Sequence, residues 1–193
     1  MKAFNGFEAK AVKGSEHLPA GGYVAEVKEA KIVLAKNGRE MLQISFDIAE
    51  GDKKEFFKTD FLNQSSKDKK WKGVYRLFVP TDDGSEKDVW AKRTFGNAIW
   101  SFEESNNGFH WAWNEADLKG KLVGVLYRDK EWEHNGNTGW TTECCALTDI
   151  ASIREGSFKM PKAKELPKSE NAAASAFDSQ FSGILADDAD LPF

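Results

Sequence analysis

The sequence predicts a mainly β fold carrying one long helix, and three observations support that reading. Residues 21–48 alternate apolar and polar side chains at period two. Asn- and Gly-bearing turns interrupt such runs, at Asn37-Gly38, at Glu50-Gly51-Asp52 and in EHNGNTG at 133–139. One stretch only, residues 87–105, changes to a 3.6-residue apolar spacing. With 193 residues, 40% hydrophobic and 12% aromatic, the chain can build one ordinary core plus an appendage, and wholesale disorder is excluded.

The first strand begins in GGYVAEVKEAKIVL. Tyr23, Ala25 and Val27 fall on odd positions, then Ala30, Ile32 and Leu34 on even ones. A parity change inside one strand needs an extra residue, so a bulge or sharp bend is expected near Lys28–Glu29. Asn37-Gly38 predicts a tight hairpin turn with positive φ at both central residues. In the second strand Leu42, Ile44, Phe46 and Ile48 alternate with Met41, Gln43, Ser45 and Asp47. A third strand is expected over about 55–62. Next comes SSKDKKWKGVYRLFVPTDDGS, basic and then apolar, ending in Pro80 and a turn.

Ser85, with Asp88 three residues on, opens the helix. Ala91, Phe95, Ala98, Ile99 and Phe102 make its inward face, and Trp100 points nearly opposite. Asn106-Asn107-Gly108 closes it. Two further strands are expected at about 121–133 and 138–147.

Three strands, a helix and two strands, with a bent first strand, is the element order of the five-stranded OB-fold barrel, whose helix lies between strands three and four. An α+β sandwich is the alternative for the same string. The domain is placed at 1–160. Residues 161–185, rich in Pro, Lys, Glu, Ala and Ser, read as a flexible linker, and 186–193 as a separate acidic tip. Within the linker, Phe177, Phe181, Ile184 and Leu185 have helical spacing and could order on a partner.

Charge is distributed unevenly. The net charge is −4, yet from Ser169 onward there are five acids and no Lys or Arg. The preceding 168 residues hold all 27 basic residues and 26 of the 31 acidic ones. A near-neutral body thus carries an acidic tail, which can screen or mimic an anionic ligand of that body.

Several classes are excluded or disfavoured. The chain has no run of about 18 apolar residues and no apolar signal-peptide core, so no membrane association and a cytoplasmic location are expected. Cys144 and Cys145 are adjacent and read as reduced, packed residues. There is no phosphate-binding glycine loop, GxSxG or HExxH motif. His17, His110 and His134 are scattered singly, and Glu103 and Glu104 diverge on their helix. The expectation is a non-enzyme with no cofactor and no metal.

A binding role has more behind it. Single strands of nucleic acid are held by aromatic faces that stack on bases and by cations that meet phosphates. KDKKWKGVYR interleaves Lys67, Lys69, Lys70, Lys72 and Arg76 with Trp71 and Tyr75. YRDKEWEHNGNTGW places Tyr127, Arg128, Trp132 and Trp140 on one hairpin, and Lys36 and Arg39 lie by the first hairpin loop. The candidate site is therefore Trp71, Tyr75, Tyr127, Trp132 and Trp140 for bases, with Lys36, Arg39, Lys58, Lys70, Arg76 and Arg128 for the backbone. Each stack is worth about 1–3 kcal/mol. Trp71, Trp132 and Trp140 are each either a stacking ring or a half-buried packing residue, and the lysines around position 68 could equally be a solvated loop. Trp90 and Trp100 read as packing residues.

The chain closes on ILADDADLPF. A ring beside a free carboxylate, after three aspartates, suits a pocket with a basic rim. Asp187, Asp188, Asp190, Leu191, Pro192 and Phe193 are the expected partner-binding residues. This tip resembles the acidic, Pro-Phe-ending tip of bacterial single-stranded-DNA-binding proteins, departing from it by Ala189 and Leu191. The phrases LPAGGYVAEV, WKGVYRLFVP, LKGKLVGVLYRDKEWE and IREGSFKMP resemble a bacteriophage family of OB-fold single-stranded-DNA-binding proteins, over most of residues 1–165. The resemblance implies protection of unpaired DNA during phage replication, recombination or repair, in the host cytoplasm, with the tip recruiting replication and recombination proteins. The tail is expected to compete with DNA, so that deleting 186–193 tightens DNA binding. Self-association into a homodimer would lengthen the site. The rival reading is an OB-type protein-interaction adaptor that binds no DNA.

Overall fold

The computed structural model describes residues 17–167; the acidic tip lies outside them. Five strands form one antiparallel sheet: β1 (Gly21–Leu34), β2 (Glu40–Ile48), β3 (Val74–Phe78), β4 (Leu122–His134) and β5 (Asn137–Thr148), in the order β3-β2-β1-β4-β5. Three helices accompany them, α1 (Phe56–Asn63), α2 (Glu86–Ser105) and α3 (Ile150–Glu155).

β1 joins the two halves of the sheet. Its first part, 21–26, pairs with β4, and 25–34 pairs with β2. The expected bulge is present, as a register shift between Val27 and Glu29. It turns Val27 inward before the shift and Ala30 inward after it. Strands β3 and β5 approach each other at the far edges, but no ladder joins them. The sheet is strongly bent and is not closed.

The turn chemistry is partly redistributed. At Asn37-Gly38 only Gly38 has positive φ, because the connection is a wider loop in which the Gly38 N–H donates to the Ala35 carbonyl. The tight turn with positive φ at both central residues is instead Asn135-Gly136, at 51° and 75°.

The expected third strand at 55–62 is a helix, α1, and the third strand is β3. The segment FFKTDFLN has no period-two alternation, and it receives a cap from elsewhere. Glu55, at its N-cap, makes no side-chain cap. The buried Asp47 carboxylate of β2 fills that role, accepting the N–H groups of Ile48, Phe57 and Lys58 at 2.9, 2.9 and 3.2 Å. Phe57 then packs edge-on against Phe46.

Helix α2 starts as expected, with Ser85 Oγ accepting the Asp88 N–H. Its Phe95, Ala98 and Phe102 are buried in one cluster with Leu42, Ile44, Phe46, Val123 and Val125 of the sheet, and Ala91 is buried as well. Trp100 is exposed on the other side. Cys144 and Cys145 are free thiols at a bulge of β5.

The chain does not leave the body at 160. Beyond α3, residues 161–167 run beside β4 where β1 has ended. Lys164 exchanges main-chain bonds with Asp129 and Glu131, both 2.8 Å, and Leu166 N–H donates to the Glu131 carboxylate. This first part of the expected linker is a strap on the sheet. No helix among the described residues is long and apolar enough to cross a membrane.

Candidate nucleic-acid interface

Two cavities meet at the open seam between β3 and β5. The larger is a groove of about 870 Å³ bounded by β3, α2, β5 and the strap. Its apolar floor includes Leu77, Ala91, Ala98 and Leu147. Phe78, Trp90, Trp100 and Phe158 add aromatic surface. Arg76 and Arg128 come from the sheet, Arg93 from α2, Arg39 from the first hairpin loop, Lys159 from the segment after α3, and Lys162 and Lys164 from the strap. Among the described residues that line the groove, two acids, Glu143 and Asp149, stand with these seven cations. The smaller cleft, about 330 Å³, continues past the seam toward Lys72 and Thr142. Tyr75, Arg76, Glu143 and Cys144 line both cavities, so the two adjoin at the edge of the sheet.

The cations are held in place. The Arg39 guanidinium lies 4.4 Å over the Phe78 ring. Arg76 Nε donates to Gln43 Oε1 at 2.8 Å across the β2–β3 ladder. The Arg128 fork donates to Glu143 Oε1 through Nε and Nη2 at 3.2 and 3.1 Å, while Lys130 Nζ reaches Oε2 at 2.6 Å. Burial pushes the Glu143 carboxyl up, but Lys130 and Arg128 outweigh it and hold the group below its ordinary value. Burial and the neighbouring Lys130 and Arg128 push the Lys164 ammonium down, with Glu143 opposing.

Of the residues expected at the site, four line the groove: Arg39, Tyr75, Arg76 and Arg128. Two aromatics are corrected. Tyr127 is 4% exposed, stacked on Phe57 and edge-on to Tyr23, so its ring belongs to the core. Tyr75, although it lines both cavities, is 9% exposed and belongs to the core cluster. Burial raises both phenols well above their ordinary value.

Trp71 packs on Phe61, and its indole N–H is shared between the Phe46 and Gly73 carbonyls at 3.0 and 3.1 Å. Lys70 is an exposed neighbour whose backbone is pinned by Gln64. Lys58 pairs with Glu55 on α1, and Lys36 is exposed in the first hairpin loop. None of these four lines the groove. Trp132 and Trp140, 40% and 51% exposed, stand near the end of the β4–β5 hairpin. Asp187, Asp188, Asp190, Leu191, Pro192 and Phe193 lie outside the described residues.

Trp90, Arg93 and Trp100 were missed as site residues. Their signal was Trp100 itself: a large ring opposite the apolar face of a helix has no core to enter, and Trp90, Arg93, Asn97 and Trp100 form a stripe with it. The strap was missed because residues from 161 onward are read by composition as a linker, although 158–164 interleave Phe158 with Lys159, Lys162 and Lys164. A second aromatic surface lies elsewhere. Phe95, Trp111 and Trp113 stack in sequence, and Trp113 is 82% exposed on a backbone with φ of 62°.

No family model matches the chain, and no curated protein was found to match it.

Proposed function

We propose that this protein binds single-stranded DNA along the groove and across the β3–β5 seam, protecting unpaired strands during replication, recombination or repair. The observation that carries this reading is a long groove that is both cationic and aromatic, with a second cleft adjoining it at the seam. Seven cations against two acids favour a polyanion, and rings beside them suit bases. A groove with a cleft adjoining it suits a polymer better than an isolated small molecule. The walls combine Trp90 and Trp100 with Arg39, Arg76 and Arg93, which offer stacking and phosphate contacts without base-edge readout.

The finer fold assignment belongs to the same reading. An element order of β1, β2, β3, α2, β4 and β5, with β1 shared between two partners, supports an OB-type barrel opened at its β3–β5 seam. Recruitment of partner proteins falls to the tip, residues 186–193, on the strength of its sequence.

The test is a gel-shift of the full chain with oligo-dT, a duplex of equal length and oligo-rU, each at two salt concentrations. Single-stranded binding that weakens steeply with salt is expected, exceeding that for duplex. No shift with oligo-dT at low salt contradicts the proposal and favours the protein-adaptor reading.

A further inference from the structure

Glu143 lines both cavities, and three cations lie near its carboxylate: Arg128 and Lys164, which line the larger groove, and Lys130, which lines neither cavity. Glu143 is half-buried, and both of its oxygens are occupied: Oε1 takes the planar fork of Arg128, and Oε2 takes the Lys130 ammonium. Lys164 belongs to the same group and lines the groove, yet its ammonium makes no hydrogen bond or ion pair among the described residues. Three cations thus share the one Glu143 carboxylate in a partly sheltered position, an arrangement that favours an added anion at Lys164. The backbone supports this placement. The strap is held on β4 by the main-chain bonds of Lys164, so its side chain is delivered to this spot by the fold.

Arg–carboxylate and Arg–phosphate recognition share one geometry, in which two parallel N–H groups meet two oxygens. We infer that Arg128, Lys130 and Lys164 form a subsite for one phosphodiester of the bound strand, and that Glu143 stands in for that phosphate when the site is empty. This rests on the single-stranded-DNA reading of the groove and adds the location of a phosphate and a residue that tunes affinity. On binding, the phosphate takes Lys164 first, and it shares or displaces the grip of Glu143 on Lys130 and Arg128. Glu143 thus lowers affinity for every strand alike, because the exchange involves no base.

The experiment is a tryptophan-fluorescence titration of the full chain with oligo-dT across a salt series, for wild type, Lys164→Met, Lys164→Arg and Glu143→Gln. Lys164→Met leaves the strap's main-chain bonds in place. It is expected to weaken binding about 3- to 10-fold at low salt and to reduce the salt slope by about 0.7, the contribution of one phosphate on a single strand. Lys164→Arg, which keeps the charge, restores the slope. Glu143→Gln tightens binding several-fold and steepens the slope. If wild type binds but Lys164→Met keeps its slope and affinity, the subsite is overturned and the groove reading stands. If wild type gives no binding, both fall. Should Glu143→Gln unfold the protein, the Lys164 pair decides alone.

Discussion

Trp132 and Trp140 stand on opposite faces of the β4–β5 hairpin: Trp132 is registered opposite Gly139, and Trp140 opposite Glu131. Side chains alternate along a strand, so Arg128, Lys130 and Trp132 share one face, and Trp140 shares the other with Glu131 and Asp129. The Trp132 ring lies across Gly139, whose lack of a side chain makes room for it. Neither ring lines the groove, but Trp132 shares the face of Arg128, which does. A strand that runs on from the groove along this face meets Trp132 and not Trp140, so Trp132→Ala is expected to cost about 1–3 kcal/mol of oligo-dT affinity, and Trp140→Ala close to nothing. Fluorescence or anisotropy titration of the two variants separates them; equal losses would contradict the assignment.

Tyr127 makes a different prediction, because its ring is core. Its neighbours are Phe57, Tyr23 and Cys144. Tyr127→Phe keeps the ring and removes a hydroxyl with no hydrogen bond among the described residues, so stability and DNA affinity should both stay near wild type. Tyr127→Ala should lose about 3–5 kcal/mol of unfolding free energy, as for other large aromatic truncations. Urea unfolding measures both. A folded, stable Tyr127→Ala that has lost only DNA binding would return Tyr127 to the site.

Acid sensitivity should centre on Asp88. This buried carboxylate bonds Lys92, and it accepts the N–H groups of Thr81, Asp82 and Gly84 in the loop before α2. Lys92 is the main cause, with the Asp82 and Gly84 N–H groups, of a value lowered from 3.8 to about 2 against the opposing effect of burial. The folded value lies below the unfolded one. Its stabilising contribution is therefore complete above about pH 4 and is lost as pH falls toward about 2. Asp88→Asn should flatten the dependence of unfolding free energy on pH across that window, as read by urea unfolding at several pH values. An unchanged slope would show that other carboxylates dominate.

Local pattern in the sequence accounts for much of this. The parity change at Lys28–Glu29, the Ser85 cap, the Ala91–Phe102 face and the final hairpin each rest on neighbouring residues, and each is present. What escaped depends on distant contacts. Helix α1 is capped by Asp47, ten residues from Phe57, and no local motif announces it. The strap is ordered by an edge of β4 that opens where β1 ends, a fact of topology. The site was legible in kind, as aromatic residues mixed with cations, but only in part by residue. Period-two reasoning could not tell which rings of a bent sheet turn inward, and Tyr75 and Tyr127 did.

The central claim is that unpaired DNA lies in the groove between β3, α2, β5 and the strap. The most direct measurement is ultraviolet crosslinking of oligo-dT to the full chain, with the modified residues mapped by mass spectrometry. The account predicts crosslinks at Trp90, Trp100 and Phe158. Crosslinks confined to Trp111 and Trp113, or none at a concentration where binding is saturated, would contradict it.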